Sequence, residues 1–304
     1  MSKLKRDFAK KVAKNTLCAG YKYSGLLGLH EWVSRRLSDS FLTILLLHRV
    51  SDDIPEDSLT IGTHRFEAIC RMLQKQFRVV SLADIFALAK SGGPLPSRTL
   101  AITFDDGYRD NLFAARILAR HGLTACFFIT TAYMGTRRPF EWDRDVGELP
   151  KLTWDDVREM DDMGFEIGSH TLTHANLAAI SHDRVRHELS ESKDAIQAEI
   201  GRQVRWLAYP FGGKADFPCG GLQIARELGY EGCVSAYGGL VYPGQSTEML
   251  PRETITSDSP LFLETRLRTG ISWSRRWTNR PRKAGTAICS VSASAGQPAR
   301  QPIG

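Results

Sequence analysis

Between Phe41 and residue 255, short apolar runs alternate with longer stretches in which apolar residues recur every three or four positions. The runs at 41–47, 99–104, 124–130, 164–168, 204–209 and 231–235 read as buried strands. Thr63–Gln76 reads as a helix with Phe66, Ile69, Cys70 and Leu73 on one face. Ser81 and Asp84 open another with a capping-box pattern, and Leu82, Ile85 and Leu88 form its buried side. Further helices are expected over 109–121, after the Thr153/Asp156 cap through Val157 and Met160, over 181–200 up to Gly201, and over 222–228. Strand–helix alternation of this kind is the mark of a parallel α/β architecture. Spacing alone leaves an open sheet and a closed barrel both standing, although the absence of a glycine-rich fingerprint after the first strand argues against a dinucleotide-binding sheet.

Two strand ends carry chemistry. The run Leu100-Ala101-Ile102-Thr103-Phe104 delivers Asp105-Asp106-Gly107-Tyr108, and Gly164 to Gly168 delivers Ser169-His170-Thr171-Leu172-Thr173-His174. Either pattern alone has an ordinary reading: Asp-Asp-Gly is a turn, and a spaced histidine pair is a helix surface. Both pairs follow strands, at the sheet edge where reacting residues collect in α/β folds. Asp and His suit Zn²⁺, and three protein ligands with one open position describe a catalytic centre, leaving the spare aspartate free to act as a base.

These residues resemble the polysaccharide deacetylase family, also known as carbohydrate esterase family four or the NodB-homology domain. Its first motif is matched by Thr103 to Tyr108 and its second by Ser169 to His174. A third, aromatic-Pro-aromatic-Gly segment is matched by Tyr209-Pro210-Phe211-Gly212, and the likeness covers roughly residues 41 to 255. The resemblance implies a distorted, incomplete (β/α) barrel of about seven parallel strands with helices outside. It implies that Asp105 is the catalytic base and that Asp106, His170 and His174 hold Zn²⁺ or another divalent metal such as Co²⁺. It further implies an oxyanion contact from the backbone of Phe211 and substrate contacts at Tyr209 and Pro210.

The chain departs from the family's commonest pattern in two places. Ala208 stands where an arginine that orients the catalytic aspartate is usual, and Arg252 in Leu250-Pro251-Arg252 is a candidate replacement; a structural or solvated arginine is the other reading. The late Leu-x-His segment that supplies the general acid is absent, since no histidine follows His187. However, Leu46-Leu47-His48-Arg49-Val50 resembles the early histidine segment of the biofilm-polysaccharide deacetylase branch, which implies His48 as proton donor, with a structural histidine as the alternative. Phe140, Trp142, Trp154 and Trp206 could floor a sugar groove; core packing suits Trp154 and Trp206 better, and Trp142 is the expected sugar contact.

The implied reaction is metal-dependent removal of N-acetyl groups from N-acetylglucosamine residues of an oligo- or polysaccharide, chitooligosaccharide or exopolysaccharide. Hydrolysis of a non-carbohydrate amide or imide and a catalytically silent sugar-binding module are the alternatives. Retention of Asp105, which no metal needs, argues against the silent module.

With 304 residues and 42% hydrophobic content the chain can bury one large core. Three segments are expected: a basic helical extension over 1–40, a catalytic domain over 41–276 and a disordered tail over 277–304 rich in Ser, Ala, Gly, Gln and Pro. The six cysteines show no paired spacing, so no disulfide framework is expected and a reducing compartment is weakly favoured. No apolar leader segment follows the first lysines, and the run 41–47 is too short to span a bilayer. The expected location is the cytoplasm, with peripheral contact to the inner membrane face through residues 1–22 as an alternative to a packed helix, because Leu4, Phe8 and Val12 recur beside the lysines. The net charge of +6 is largely terminal, with no zinc-finger spacing or basic-aromatic stripe, so nucleic acid is not an expected partner. Nothing points to a protein partner.

Overall fold

The computed structural model describes residues 3–36, 40–255 and 259–270, and the side chains within them except those of 3–11 and 35. The expected tail over 277–304 and the end of the catalytic segment, 271–276, lie outside the described residues. Two helices, α1 (Lys3–Tyr23) and α2 (Leu26–Arg36), precede the first strand, β1 (Thr43–Leu47). A short parallel pair follows, β2 (Arg49–Val50) with β3 (Thr60–Ile61), and then α3 (Thr63–Gln76), β4 (Arg78–Val79) and α4 (Leu82–Ser91). The two motif strands are β5 (Thr99–Phe104) and β7 (Glu166–Ser169); between them lie α5 (Asp110–Arg120), β6 (Cys126–Ile129) and α6 (Trp154–Asp162). The chain continues through α7 (His182–Ile200), β8 (Trp206–Ala208), α8 (Gly221–Glu227), β9 (Gly232–Val234), β10 (Met249–Leu250), β11 (Glu253–Thr254) and α9 (Pro260–Thr269).

All neighbours in the main sheet are parallel, in the order β10-β9-β8-β7-β6-β5-β1-β11, with β4 beside the start of β5. The two ends of that list are one stretch of chain. Residues 249–250 ladder onto β9, and residues 253–254 ladder onto β1. Pro251, which has no amide hydrogen to donate, interrupts the strand between them. The sheet is thus an α/β barrel of seven strand positions, closed incompletely by one broken strand.

Register brings the motif residues level. Leu47 lies opposite Phe104, and Asp105 N–H donates to the Leu47 carbonyl at 3.0 Å, so the residues after both strands emerge side by side. Ile129 faces Ser169 and Ser169 faces Leu207, which sets His170 beside Ala208.

Alternation within the strands splits the core. One side chain set, including Leu45, Phe104, Phe127 and Leu207, packs outward against α3, α5, α6 and α7. The other, including Ile44, Phe128, Trp206, Val234 and Leu250, faces inward and packs with Leu82, Ile85 and Phe86 of α4. There Phe86 stacks on Trp206 at 4.5 Å, so Trp206 is core. Glu166 ties the two together, accepting from Leu82 N–H at 2.6 Å, Ala83 N–H at 3.2 Å and Trp206 Nε1 at 3.0 Å. Cys18, Cys70, Cys126 and Cys233 are buried, as small hydrophobes; Cys219 is disulfide-bonded, a bond that the spacing gave no sign of.

Ser259, whose hydroxyl accepts from Phe262 N–H at 3.2 Å, Pro260 at the first turn and left-handed Gly270 delimit α9, a helix that the apolar periodicity did not reveal. It packs against α1, α2 and α3, so the N-terminal helices rest on the C-terminal one.

Gly232 tests the inward packing. A Cβ there would stand 2.2 Å from Cε1 of Phe86. Gly232→Ala should therefore lower stability by about 1–3 kcal/mol, the usual cost of overpacking a filled core. Urea unfolding would check this; an unchanged midpoint would mean that the Phe86–Trp206 stack is loose.

Candidate active site

Asp105 and Asp106 follow β5, His170 and His174 follow β7, and all four are buried. The chain turns sharply here. Of five non-glycine residues with positive φ among the described residues, Asp106 (76°), Thr171 (68°), His174 (60°) and Phe211 (64°) are in these loops. Backbone held in that region costs energy that the surrounding structure must offset, and such residues gather at functional sites.

Asp106, His170 and His174 converge. Asp106 Oδ1 is 3.4 Å from His170 Nε2 and 3.5 Å from His174 Nε2, and the three ligand atoms lie within 4.8 Å of one another. Ligands held tetrahedrally about 2.0–2.1 Å from zinc stand roughly 3.3 Å apart, so the spacing suits a cation of that size. Asp106 Oδ2 is buried without a hydrogen-bond partner, a lone-pair donor to which a cation could bind. Burial opposes the charge on Asp106, but the two histidines outweigh it and hold the carboxyl well below the usual range.

The histidine ring is aimed by a backbone group. His170 Nδ1 lies 2.7 Å from the Ala208 carbonyl, which fixes Nδ1 as the donor and turns the Nε2 lone pair toward Asp106. On the other side of the loop, Glu188 of α7 accepts from Thr173 N–H at 2.8 Å and Thr173 Oγ1 at 2.7 Å, while His174 N–H donates to Thr171 Oγ1 at 3.1 Å. Asn176 donates to Asp216 at 3.0 Å, and Asp216 accepts from Gly213 N–H at 2.9 Å; Asn176 is therefore a brace between two loops.

Asp105 has a different partner. Arg252, fully buried, grips it through two bonds, Nη1 to Oδ1 at 2.7 Å and Nη2 to Oδ2 at 2.6 Å, and also donates from Nε to the Ser235 carbonyl at 2.8 Å. Of the two readings of Arg252, the one that aims it at the aspartate fits. Burial alone would raise the Asp105 carboxyl, yet the Arg252 charge, followed by His170, lowers it below its ordinary value of 3.8, so it is ionised at neutral pH.

His48 follows β1 on the same rim, half-buried, its backbone carbonyl accepting from Asn111 Nδ2 at 2.7 Å. Burial lowers its imidazole, against the pull of Asp106 and Asp105 upward. The ring is neutral at rest rather than the imidazolium that a proton donor needs.

Trp142 is half-buried at the site's edge, its ring 4.8 Å from that of His174 and 6.4 Å from that of Phe211. Phe211 is 51% exposed and lies 5.2 Å from His174, so two aromatic rings flank one candidate ligand. Tyr209 and Pro210 correct the expectation of direct substrate contact. Both are buried, and the Tyr209 hydroxyl donates to the Gly212 and Gly213 carbonyls at 3.0 Å each, pinning the turn that displays Phe211.

One cluster escaped the sequence reading. Asp143, fully buried, accepts from Arg49 Nη1 at 2.8 Å and from the Tyr108 hydroxyl at 2.9 Å, with Lys151 Nζ 3.7 Å away. Tyr108 in turn accepts from Trp142 Nε1 at 2.9 Å, so the network positions Trp142. Arg49 beside His48 and Tyr108 beside the aspartates were the available signals; Asp143 had none, lying in a polar stretch between predicted elements.

This arrangement on the strand rim sets a carboxylate and two histidines that could hold a cation beside a second, ionised aspartate, a combination suited to hydrolysis. Residues 92–233, a little under half of the chain, match the family profile described as Polysaccharide deacetylase. Among curated relatives the chain is similar to YxkH of Bacillus subtilis, 24% identical over 217 residues and 71% of each chain. It is similar also to the peptidoglycan-N-acetylmuramic acid deacetylase PdaA of Bacillus subtilis (26% identical, over 46% of this chain and 47% of that protein). A chitooligosaccharide deacetylase of Sinorhizobium fredii is 31% identical over 40% of this chain and half of that one. The chain thus spans about half the length of the last two. Among solved structures, the Streptococcus pyogenes deacetylase PplD, in complex with acetate, superposes with a TM-score of 0.62 at 22% identity, over 74% of this chain and 96% of that one. IcaB from Ammonifex degensii superposes with a TM-score of 0.62 at 20% identity, over 75% and 97%. These two share the fold. His48 and Arg252 lie outside the matched segment 92–233.

Arg252→Met would leave a buried carboxylate without its cation, which typically costs about 3–5 kcal/mol. The sign with pH follows. In the parent the lowered Asp105 carboxyl stabilises the fold above the ordinary 3.8 and loses that contribution as pH falls through its folded value; in the variant the carboxyl rises instead. The stability gap between the two should be widest at neutral pH and narrow as pH falls from the variant's raised value, above the ordinary 3.8, toward the parent's lowered one. Denaturant midpoints across pH 3–8 would read it, and a pH-independent gap would mean that Asp105 does not depend on Arg252 for its charge.

Proposed function

We propose that this protein is a metal-dependent hydrolase that removes N-acetyl groups from N-acetylglucosamine residues of an oligo- or polysaccharide, releasing acetate. The observation that carries the reading is the adjacency of two separately wired aspartates: Asp106 faces two histidines, and Asp105 faces an arginine. One is suited to a metal and the other to a proton.

An amide resists hydrolysis because its carbonyl is a poor electrophile and its amine a poor leaving group. A divalent cation such as Zn²⁺ or Co²⁺, held by Asp106, His170 and His174, would supply Lewis acidity toward the acetyl carbonyl and make the attacking water more acidic. Asp105, kept ionised and fixed in plane by both Arg252 bonds, accepts the water's proton through its remaining lone pairs. The Phe211 N–H has no partner among the described groups, and in its left-handed conformation it serves as donor to the developing oxyanion. His48, neutral at rest, takes up a proton from solvent as negative charge builds beside it and passes that proton to the departing amine, while Asp105 returns the water's proton to solvent. Trp142 and Phe211 supply ring faces against which a pyranose can stack. The chitooligosaccharide and peptidoglycan deacetylases among its relatives support an N-acetylated saccharide as substrate. The silent binding module is disfavoured by Arg252, which spends a fully buried guanidinium on the aspartate that a metal does not need.

Acetate release from N-acetylglucosamine oligomers by purified protein, after chelation and after adding back Zn²⁺ or Co²⁺, tests the whole reading. Metal-restored release is expected; bound metal without release would point to a non-carbohydrate amide or to binding alone. His48→Ala should keep stoichiometric metal while slowing deacetylation by roughly 10²-fold or more. His170→Ala and His174→Ala should lose metal and activity together, as read by elemental analysis alongside rate. Equal metal loss in all three would remove His48 from its role as donor.

A further inference from the structure

Seven of the nine large apolar side chains with substantial exposure among the described residues fall between Val12 and Val33, the other two being Phe113 and Phe211. On α2, Leu26, Leu29 and Val33 follow one another at helical spacing with Trp32 beside them, and Val12, Leu17 and Tyr23 are exposed on the neighbouring α1. The opposite side of the helices is seated on the protein. Cys18 and Leu27 are buried, Glu31 accepts from Arg268 at 2.9 and 2.7 Å and from Arg98 at 2.8 and 2.5 Å, and Lys22 bonds Glu264 at 2.8 Å. Burial works against the Glu31 charge, but Arg268 and Arg98 outweigh it and bring its carboxyl to about 2, so this attachment persists at any ordinary pH. Glu31 and Lys22 thus face the fold, while the large apolar residues of α2 face solvent.

We infer that the outer face of α1 and α2 docks on an anionic lipid surface. Charge selects this occupant over a second copy of the chain. Residues 1–36 hold nine lysines and arginines against two acidic residues, one of them the buried Glu31, so two such segments brought together would repel, whereas acidic headgroups would attract the segment as a whole. Trp32 carries a cation in the way an interface asks: Arg36 lies 4.8 Å from its ring. Such a pair puts an amphipathic ring and a positive charge at headgroup depth while the leucines reach the acyl boundary. None of the described helices is long and apolar enough to cross a membrane, so the contact lies in the interface plane. The expectation from sequence rested on Leu4, Phe8 and Val12; the side chains of Leu4 and Phe8 lie outside the described set, and the face centres instead on Leu29 and Trp32.

The test is co-sedimentation of the full chain with vesicles of phosphatidylcholine containing about a third phosphatidylglycerol, against vesicles of phosphatidylcholine alone, near 0.15 M salt. Anionic vesicles should bind roughly tenfold more tightly or better, and salt should weaken the binding. L29D/W32D should lose that binding while keeping the parent's unfolding midpoint, because both residues are exposed. Equal partition onto the two vesicle types, or binding unaffected by the double substitution, would overturn the inference. A concentration-dependent dimer dispersed by L29D/W32D, without vesicle binding, would assign the face to a second copy instead.

Discussion

The pair Arg252–Asp105 joins two requirements that could have been met separately. Arg252 sits in the break of the strand that closes the barrel, between the residues paired to β9 and those paired to β1. Its guanidinium reaches inward to the Ser235 carbonyl, Thr103 and Asp105. Buried ion pairs are weak sources of stability because desolvation offsets much of the attraction. This one makes better sense as a register device: the carboxylate can be ionised in the interior only when the last strand has closed on the first. Opening the sheet at 249–254 would take the guanidinium from Asp105 and with it the two bonds that fix the carboxylate in plane.

How far the sequence was legible depended on range. Strand β5 and its aspartates, and β7 and its histidines, could be read because each ligand directly follows its own apolar run. Asp106 and His170 each announce themselves within a few residues. The Arg252–Asp105 contact spans 147 positions and has no local signal, so the arginine could be named only as a candidate for a vacancy noticed at Ala208. Asp143 was invisible for a different reason: its function is to accept from Arg49 and Tyr108, and nothing about a polar residue in a polar loop distinguishes a buried acceptor from a solvated one. Tyr209 and Pro210 failed in the opposite direction, since an aromatic motif next to a site suggests contact where burial provides scaffolding. Helix α9 lacked the expected apolar rhythm but did carry its caps, Ser259-Pro260 and Gly270.

The loops of the site hold their shape by bonds from outside themselves. Glu188 grips the histidine loop from α7, Asn176 links it to Asp216, and Tyr209 pins the turn at Phe211. Left-handed backbone at Asp106, His174 and Phe211 would relax if the loops were free, so these braces are what the strained conformations lean on.

The bond from His170 Nδ1 to the Ala208 carbonyl has an evolutionary consequence. Because a peptide oxygen performs the aiming, the ring's orientation is encoded by strand pairing and no particular side chain at residue 208 is required for it. That position is thereby released from duty toward the ligand and constrained by volume alone, being fully buried among inward-facing residues. A lineage could therefore exchange a long guanidinium for a methyl group there, provided another part of the chain supplied the positive charge, without disturbing how the imidazole points.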